Sequence, residues 1–105
     1  MDCRVFRSEW YDRKLRKLDK SEIARIEKFE QHLKSEPFSG KPLGYRFFRE
    51  KKFDGRRLLF LVYEEHFVVF LVTITDKKAQ QRDIDFIVSN LKVYKEEIDK
   101  ILREL

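Results

Sequence analysis

Arg57-Leu58-Leu59-Phe60-Leu61-Val62-Tyr63 and Phe67-Val68-Val69-Phe70-Leu71-Val72-Thr73-Ile74-Thr75 decide the fold. Both runs are apolar almost throughout. Continuous apolar runs of this length, rich in Val, Ile and Phe, read as strands covered on both faces, so the pair belongs at the centre of a sheet. Glu64-Glu65-His66 between them is a short polar turn, which makes the pair a hairpin. Upstream, Asp54-Gly55 is a second hairpin signal and adds a strand over about Tyr45 to Phe53. Glu36 to Gly44 holds both prolines and two of the three glycines and is expected to be a loop.

Toward the N-terminus the period changes. Ser8 is a candidate N-cap for a helix over about Glu9 to Leu18, with Trp10, Tyr11, Leu15 and Leu18 near one side. Asp19 and Glu22 have capping-box spacing and start a second helix to about Ser35, whose apolar stripe is Ile23, Ile26, Phe29 and Leu33. Cys3 to Arg7 alternates and reads as an opening strand. Beyond the hairpins, Asp76 to Arg82 is a polar connection. One long helix is then expected from about Asp83 to Glu104, with Ile84, Ile87, Val88, Leu91, Ile98 and Ile101 in period. The expected architecture is α+β: strand, helix, helix, three antiparallel strands and a C-terminal helix, with the helices packed on a small twisted sheet.

With 105 residues the chain is read as one domain, 1–105. A hydrophobic fraction of 42% with ten Phe excludes disorder even at 41% charged residues. No apolar run approaches the ~20 residues of a membrane span. The start Met1-Asp2-Cys3-Arg4 carries no apolar signal region, so no membrane partner and a cytoplasmic location are expected. Cys3 alone excludes an internal disulfide, and the Cys/His set is too small for zinc, so neither metal nor cofactor is expected.

Charge is the unusual feature. Residues 41–57 carry seven basic groups (Lys41, Arg46, Arg49, Lys51, Lys52, Arg56 and Arg57) against two acids, Glu50 and Asp54, while the net charge of the whole chain is +5. The entire excess therefore sits on one loop and one hairpin. A positive field concentrated in this way attracts a polyanion such as a phosphate backbone. Tyr45, Phe47, Phe48 and Phe53 are interleaved with the charges, as base-stacking platforms are. A hairpin that merely solvates one charged face is the plain alternative.

No Gly-rich phosphate loop, nucleophile elbow or zinc-protease motif occurs. His32 and His66 are isolated from one another in sequence. Any catalysis must then come from Arg, Lys or Tyr. Basic residues suit one reaction well: an RNA 2′-hydroxyl attacks its own 3′-phosphate while the protein orients it and neutralises the developing charge.

Three segments, taken with the element order, resemble the RelE/ParE toxin superfamily over nearly the whole chain. They are Lys41-Pro42-Leu43-Gly44 before Tyr45-Arg46, then Gly55-Arg56-Arg57-Leu58-Leu59-Phe60, and the apolar Val68 to Ile74. Thr75-Asp76-Lys77-Lys78-Ala79-Gln80-Gln81-Arg82-Asp83-Ile84 is most similar to the HigB-like, mRNA-cleaving branch. The resemblance implies the toxin of a type II toxin–antitoxin system, a ribosome-dependent and metal-independent mRNA endonuclease, held by a cognate acidic antitoxin. By position it implies catalytic roles for Arg46, Arg57 and Lys77, and RNA binding by Lys41, Arg49, Lys51, Lys52, Arg56 and Lys78. Arg82 to Phe86 lacks the tyrosine often found there in the cleaving branch. A gyrase-inhibiting ParE-like toxin and a non-catalytic RNA-binding relative therefore stand as alternatives. The sequence leaves the oligomeric state open.

Overall fold

Short side-chain caps set where the first helices begin. In the computed structural model, which describes residues 1–105, β1 (Arg4–Arg7) ends at Ser8, whose hydroxyl accepts the Tyr11 N–H at 2.9 Å and starts α1 (Glu9–Leu15). Asp19 and Glu22 form the anticipated capping box of α2 (Lys20–Leu33), with Asp19 Oδ1 accepting the Glu22 N–H at 2.8 Å. Four more strands follow: β2 (Lys41–Tyr45), β3 (Phe48–Phe53), β4 (Arg56–Tyr63) and β5 (Val68–Asp76). The chain closes with α3 (Gln80–Ser89) and α4 (Leu91–Glu104).

The sheet order is β1-β5-β4-β3-β2; β1 runs parallel to β5 and every other pair is antiparallel. The apolar strands β4 and β5 sit at its centre, as expected. One face (Leu58, Phe60, Val62, Val69, Leu71 and Ile74) packs on Tyr11, Leu15, Ile26, Phe29 and Leu33 of α1 and α2. The other (Leu59, Leu61, Tyr63, Val68, Phe70 and Val72) packs on Ile87, Tyr94 and Ile98 of α3 and α4. Each such fully buried side chain contributes about 1.5–3 kcal/mol of transfer free energy.

Three carboxylates are buried, Glu30, Glu50 and Asp83, and Glu30 is the one held by an internal network. Glu30 is buried and accepts from Arg7 Nε at 3.1 Å, Arg7 Nη2 at 2.7 Å and Tyr11 Oη at 2.6 Å. These charge-assisted bonds replace its lost hydration. Burial, followed by the Glu30 charge, raises the Tyr11 pKa far above its usual value, so Tyr11 is a permanent donor.

Three expectations need correction. The Pro/Gly segment is not all loop, because Lys41–Tyr45 forms the edge strand β2. Pro42 is tolerated there because a residue in an edge strand can do without an inward N–H. Gly44, at φ +84°, carries the irregularity between Pro42 and Tyr45. The strand expected from Tyr45 to Phe53 is consequently two, folded at Arg46-Phe47. The expected single C-terminal helix is also two. At Asn90 (φ −120°, ψ 19°) the N–H bonds Ile87 O and the side-chain amide bonds Phe86 O at 2.7 Å, which ends the α-helical ladder. Asparagine readily diverts its amide to nearby backbone in this way, and apolar periodicity cannot register it.

Candidate functional site

Strand alternation builds the site. Phe48 of β3 faces the α3/α4 core, so Glu50 and Lys52 share that face. Cross-strand partners share a face too: Lys41 lies opposite Glu50, and Lys52 opposite Arg57. Arg57 lies opposite Thr75 on its other side. At this end of the sheet neither α3 nor α4 covers the face. The result is a cleft of about 540 Å³ lined by Gly40, Lys41, Glu50, Lys51, Lys52, Arg57 and Gln80, with no apolar lining residue.

Gly40 makes the cleft wall possible. It sits at φ +79°, and a Cβ there would lie 2.2 Å from the Glu50 backbone oxygen. Only glycine lets the start of β2 approach β3 so closely. Across the cleft, Gln80 in the first turn of α3 donates from Nε2 to Glu50 Oε2 at 2.6 Å. Glu50 is buried, and this is its single side-chain hydrogen bond. Lys41, Lys52 and Arg57 make no ion pair and no side-chain hydrogen bond. A carboxylate held among unpaired cations in a polar cleft is an arrangement for binding an anion and handling a proton beside it.

The remaining sequence candidates divide between this end and others. Lys77 and Lys78 are exposed and unpaired in the turn from β5 to α3, at the same end as Arg57. Asp76 shapes that turn by accepting the Ala79 N–H at 2.8 Å, and this bond holds its carboxyl below the usual carboxylate range. Arg56 faces the other side of the sheet and pairs with Glu22 of α2 at 2.7 Å. Lys51 also points that way, with its ammonium 5.5 Å from the Phe29 ring centre, and reaches the cleft only at its rim.

Arg46 does not join the cleft. It lies in the β2–β3 turn, 3.7 Å over the Phe38 ring, and pairs at 3.0 Å with Glu64, which follows the far end of β4. Six residue steps along β4 put that end roughly 20 Å from Arg57. Arg49 is a structural clamp: its three guanidinium nitrogens donate to the carbonyls of Ser39, Arg46 and Gly40 at 3.0, 2.9 and 3.1 Å. Burial, then the Arg46 charge, lowers its pKa.

The sequence reading missed Glu50 and Gln80. The signal for Glu50 was available. Phe48 alternating with Glu50 and Lys52, and Arg57 with Leu59 and Leu61, places all of them on one face once the hairpin register is known. Gln80 carried no signal, because its role depends on how α3 crosses the sheet.

A mixed sheet with a helical pair on each face and a cationic, uncovered end defines a class of small α+β proteins. No protein-family model matches the chain, and no curated protein does. Solved structures do. The toxin–antitoxin complex RelBE2 from Mycobacterium tuberculosis matches at 25% identity over 73% of this chain and 100% of that one, with a TM-score of 0.64. A mutant of the Escherichia coli toxin RelE in the free state matches at 22% identity, 77% and 90% coverage and a TM-score of 0.68. The archaeal RelE–RelB complex from Pyrococcus horikoshii matches at 19% identity, 73% and 97% coverage and a TM-score of 0.64. The chain has the RelE fold, and the likeness to the RelBE2 complex supports a place in the RelE/ParE-like toxin superfamily. No helix is long and apolar enough to cross a membrane.

Proposed function

We propose that this chain is the toxin of a type II toxin–antitoxin pair and an endoribonuclease that cuts mRNA on the ribosome. The observation that carries the reading is the cleft in which unpaired Lys41, Lys52 and Arg57 surround the half-satisfied carboxylate of Glu50. Arg57 holds the scissile phosphate, and its fork of donors matches two phosphate oxygens. Lys41 and Lys52 neutralise the charge that grows on the phosphoryl oxygens, and Lys77 and Lys78 extend the positive field along the backbone. Glu50 takes the proton of the attacking 2′-hydroxyl. The new bond joins the 2′-oxygen to phosphorus, the bond to the 5′-oxygen breaks, and an ammonium of the cleft protonates that leaving oxygen. The products are a 2′,3′-cyclic phosphate and a 5′-hydroxyl end. The partner is an acidic antitoxin segment that covers this end of the sheet, as its charge requires.

The test is cleavage of mRNA on purified translating ribosomes, mapped by primer extension. The unaltered chain is expected to leave 5′-hydroxyl ends. Glu50→Gln, which keeps a partner for Gln80, is expected to lower the rate by about 10²–10⁴. Intact mRNA with the unaltered chain, at ribosome excess, would sink the proposal.

A further inference from the structure

On the opposite flank of α3, between it and α1, lies a second concavity of about 470 Å³, lined by Trp10, Arg13, Arg82, Asp83, Phe86 and Tyr94. Three of its six lining groups are aromatic. Trp10 and Phe86 meet edge to face, with centroids 5.7 Å apart and planes at 80°. Phe86 is 52% exposed, so the groove presents free ring surface to solvent. Asp83 is 3% exposed, and its carboxylate receives a single, long hydrogen bond of 3.4 Å from Arg82 Nε. A carboxylate has about four acceptor sites, and one long bond fills a single one of them, so a ligand that brings donors has acceptors to meet. Arg13 and Arg82 stand at the rim with side chains 54% and 76% exposed; each makes one long 3.4 Å ion pair, Arg13 with Glu9 and Arg82 with Asp83, and exposed pairs of this kind are weak enough to yield to a phosphate.

Aromatic walls, an acceptor and a cationic rim select among ligands. A lysine or quaternary ammonium is repelled by the two arginines, and an acidic peptide, though drawn to them, brings carboxylates and no donor edge to Asp83. A nucleotide satisfies all three features: a π face, an edge with donors and a phosphate. Among the bases, guanine presents two adjacent donors, N1–H and the 2-amino group, which match the two oxygens of one carboxylate. Adenine and cytosine offer one amino group beside an acceptor, and uracil sets its single N–H between two carbonyl oxygens.

We propose that this groove is a guanine-nucleotide subsite: the base against Trp10 and Phe86, its donor edge on Asp83, its phosphate at Arg13 and Arg82. Its use, which rests on the RNA-cutting reading, is to seat one base of the strand held in the cleft. Gln80 of the cleft and Asp83 of the groove are separated by about 4.5 Å of rise along α3.

Trp10 is the chain's one tryptophan, so its emission reports the groove without any cleavage assay. The full chain is titrated with the 5′-monophosphates of guanosine, adenosine, cytidine and uridine. Saturable quenching is expected, with the guanine nucleotide bound about tenfold or more tightly than the others, the discrimination typical of a bidentate base contact. Asp83→Asn is expected to abolish that preference, and Arg13→Ala with Arg82→Ala to weaken the nucleotide but not guanosine. Absence of saturable quenching, equal binding of all four bases, or an unchanged preference in Asp83→Asn would overturn the subsite. Guanine-selective quenching in a chain that cuts no mRNA would leave the subsite standing and remove the cleavage reading. Cleavage without quenching would do the reverse.

Discussion

The two ends of β4 use the same chemistry to opposite ends. At the Arg57 end, the basic groups Lys41, Lys52 and Arg57 are unpaired around a cleft. At the Tyr63 end, Arg46 is stacked on Phe38 and paired with Glu64, and midway along, opposite Phe60, Arg49 is spent on three carbonyls. In sequence these residues form one basic tract. In the fold only part of that tract is available to an anion, because a guanidinium already paired in the protein must break those bonds before it can bind elsewhere. Local charge density therefore located the surface, and pairing decided which of its charges can act on a ligand.

The largest expected effect tests that contrast directly. Arg57→Ala should relieve growth arrest and lower cleavage by about 10²–10³, the usual cost of one electrostatic donor, while leaving the melting temperature within a few degrees. Arg46→Ala should stay toxic and cleave within a few-fold of the unaltered chain. Equal losses from both, measured by primer extension and thermal melting, would break the distinction between the two ends.

Gly40 sharpens it from the structural side. Gly40→Ala pushes a Cβ to within 2.2 Å of the Glu50 carbonyl oxygen at a positive φ, whereas Gly44 at φ +84° has no atom within 4 Å. Gly40→Ala should cost about 2–4 kcal/mol and spread the cleft, against about 1 kcal/mol for Gly44→Ala, both read from denaturant midpoints. Midway along the strand, Arg49→Ala removes three bonds to the 39–46 segment and should cost about 1–2 kcal/mol, because two of the three are exposed.

The smallest effect is acid sensitivity near the cleft. The Ala79 N–H holds the Asp76 carboxyl below its ordinary range. The folded form is thus favoured above the unfolded carboxyl's pKa, and that advantage is lost as pH falls through the folded value. Melting temperatures between about pH 5 and pH 2.5 should fall less steeply for Asp76→Asn than for the unaltered chain. A parallel pH dependence in both would show that the turn carrying Lys77 and Lys78 does not depend on this bond.

Much of the fold was legible. Apolar runs placed β4 and β5 at the centre, and Ser8 and Asp19 started their helices as capping residues do. The site was legible only in part. Arg57, Lys41 and Lys52 were among the candidates, and the cleft gathers them. Arg46 was too, and the structure sets it at the opposite end. Arg56 follows from a single residue step: neighbours in a strand point to opposite faces, so it meets Glu22 while Arg57 faces the cleft.

By itself the sequence determined the layers, the central hairpin and where the positive charge is concentrated, because hydrophobic period, capping and charge density are local properties. Only the tertiary structure decided that Pro42 lies in an edge strand, that Asn90 ends a helix, and that Glu50 meets Gln80 inside the cleft. Those outcomes depend on which backbone groups still need partners after the sheet has assembled, and on which helix crosses which strand. Both are relations between residues distant in the chain.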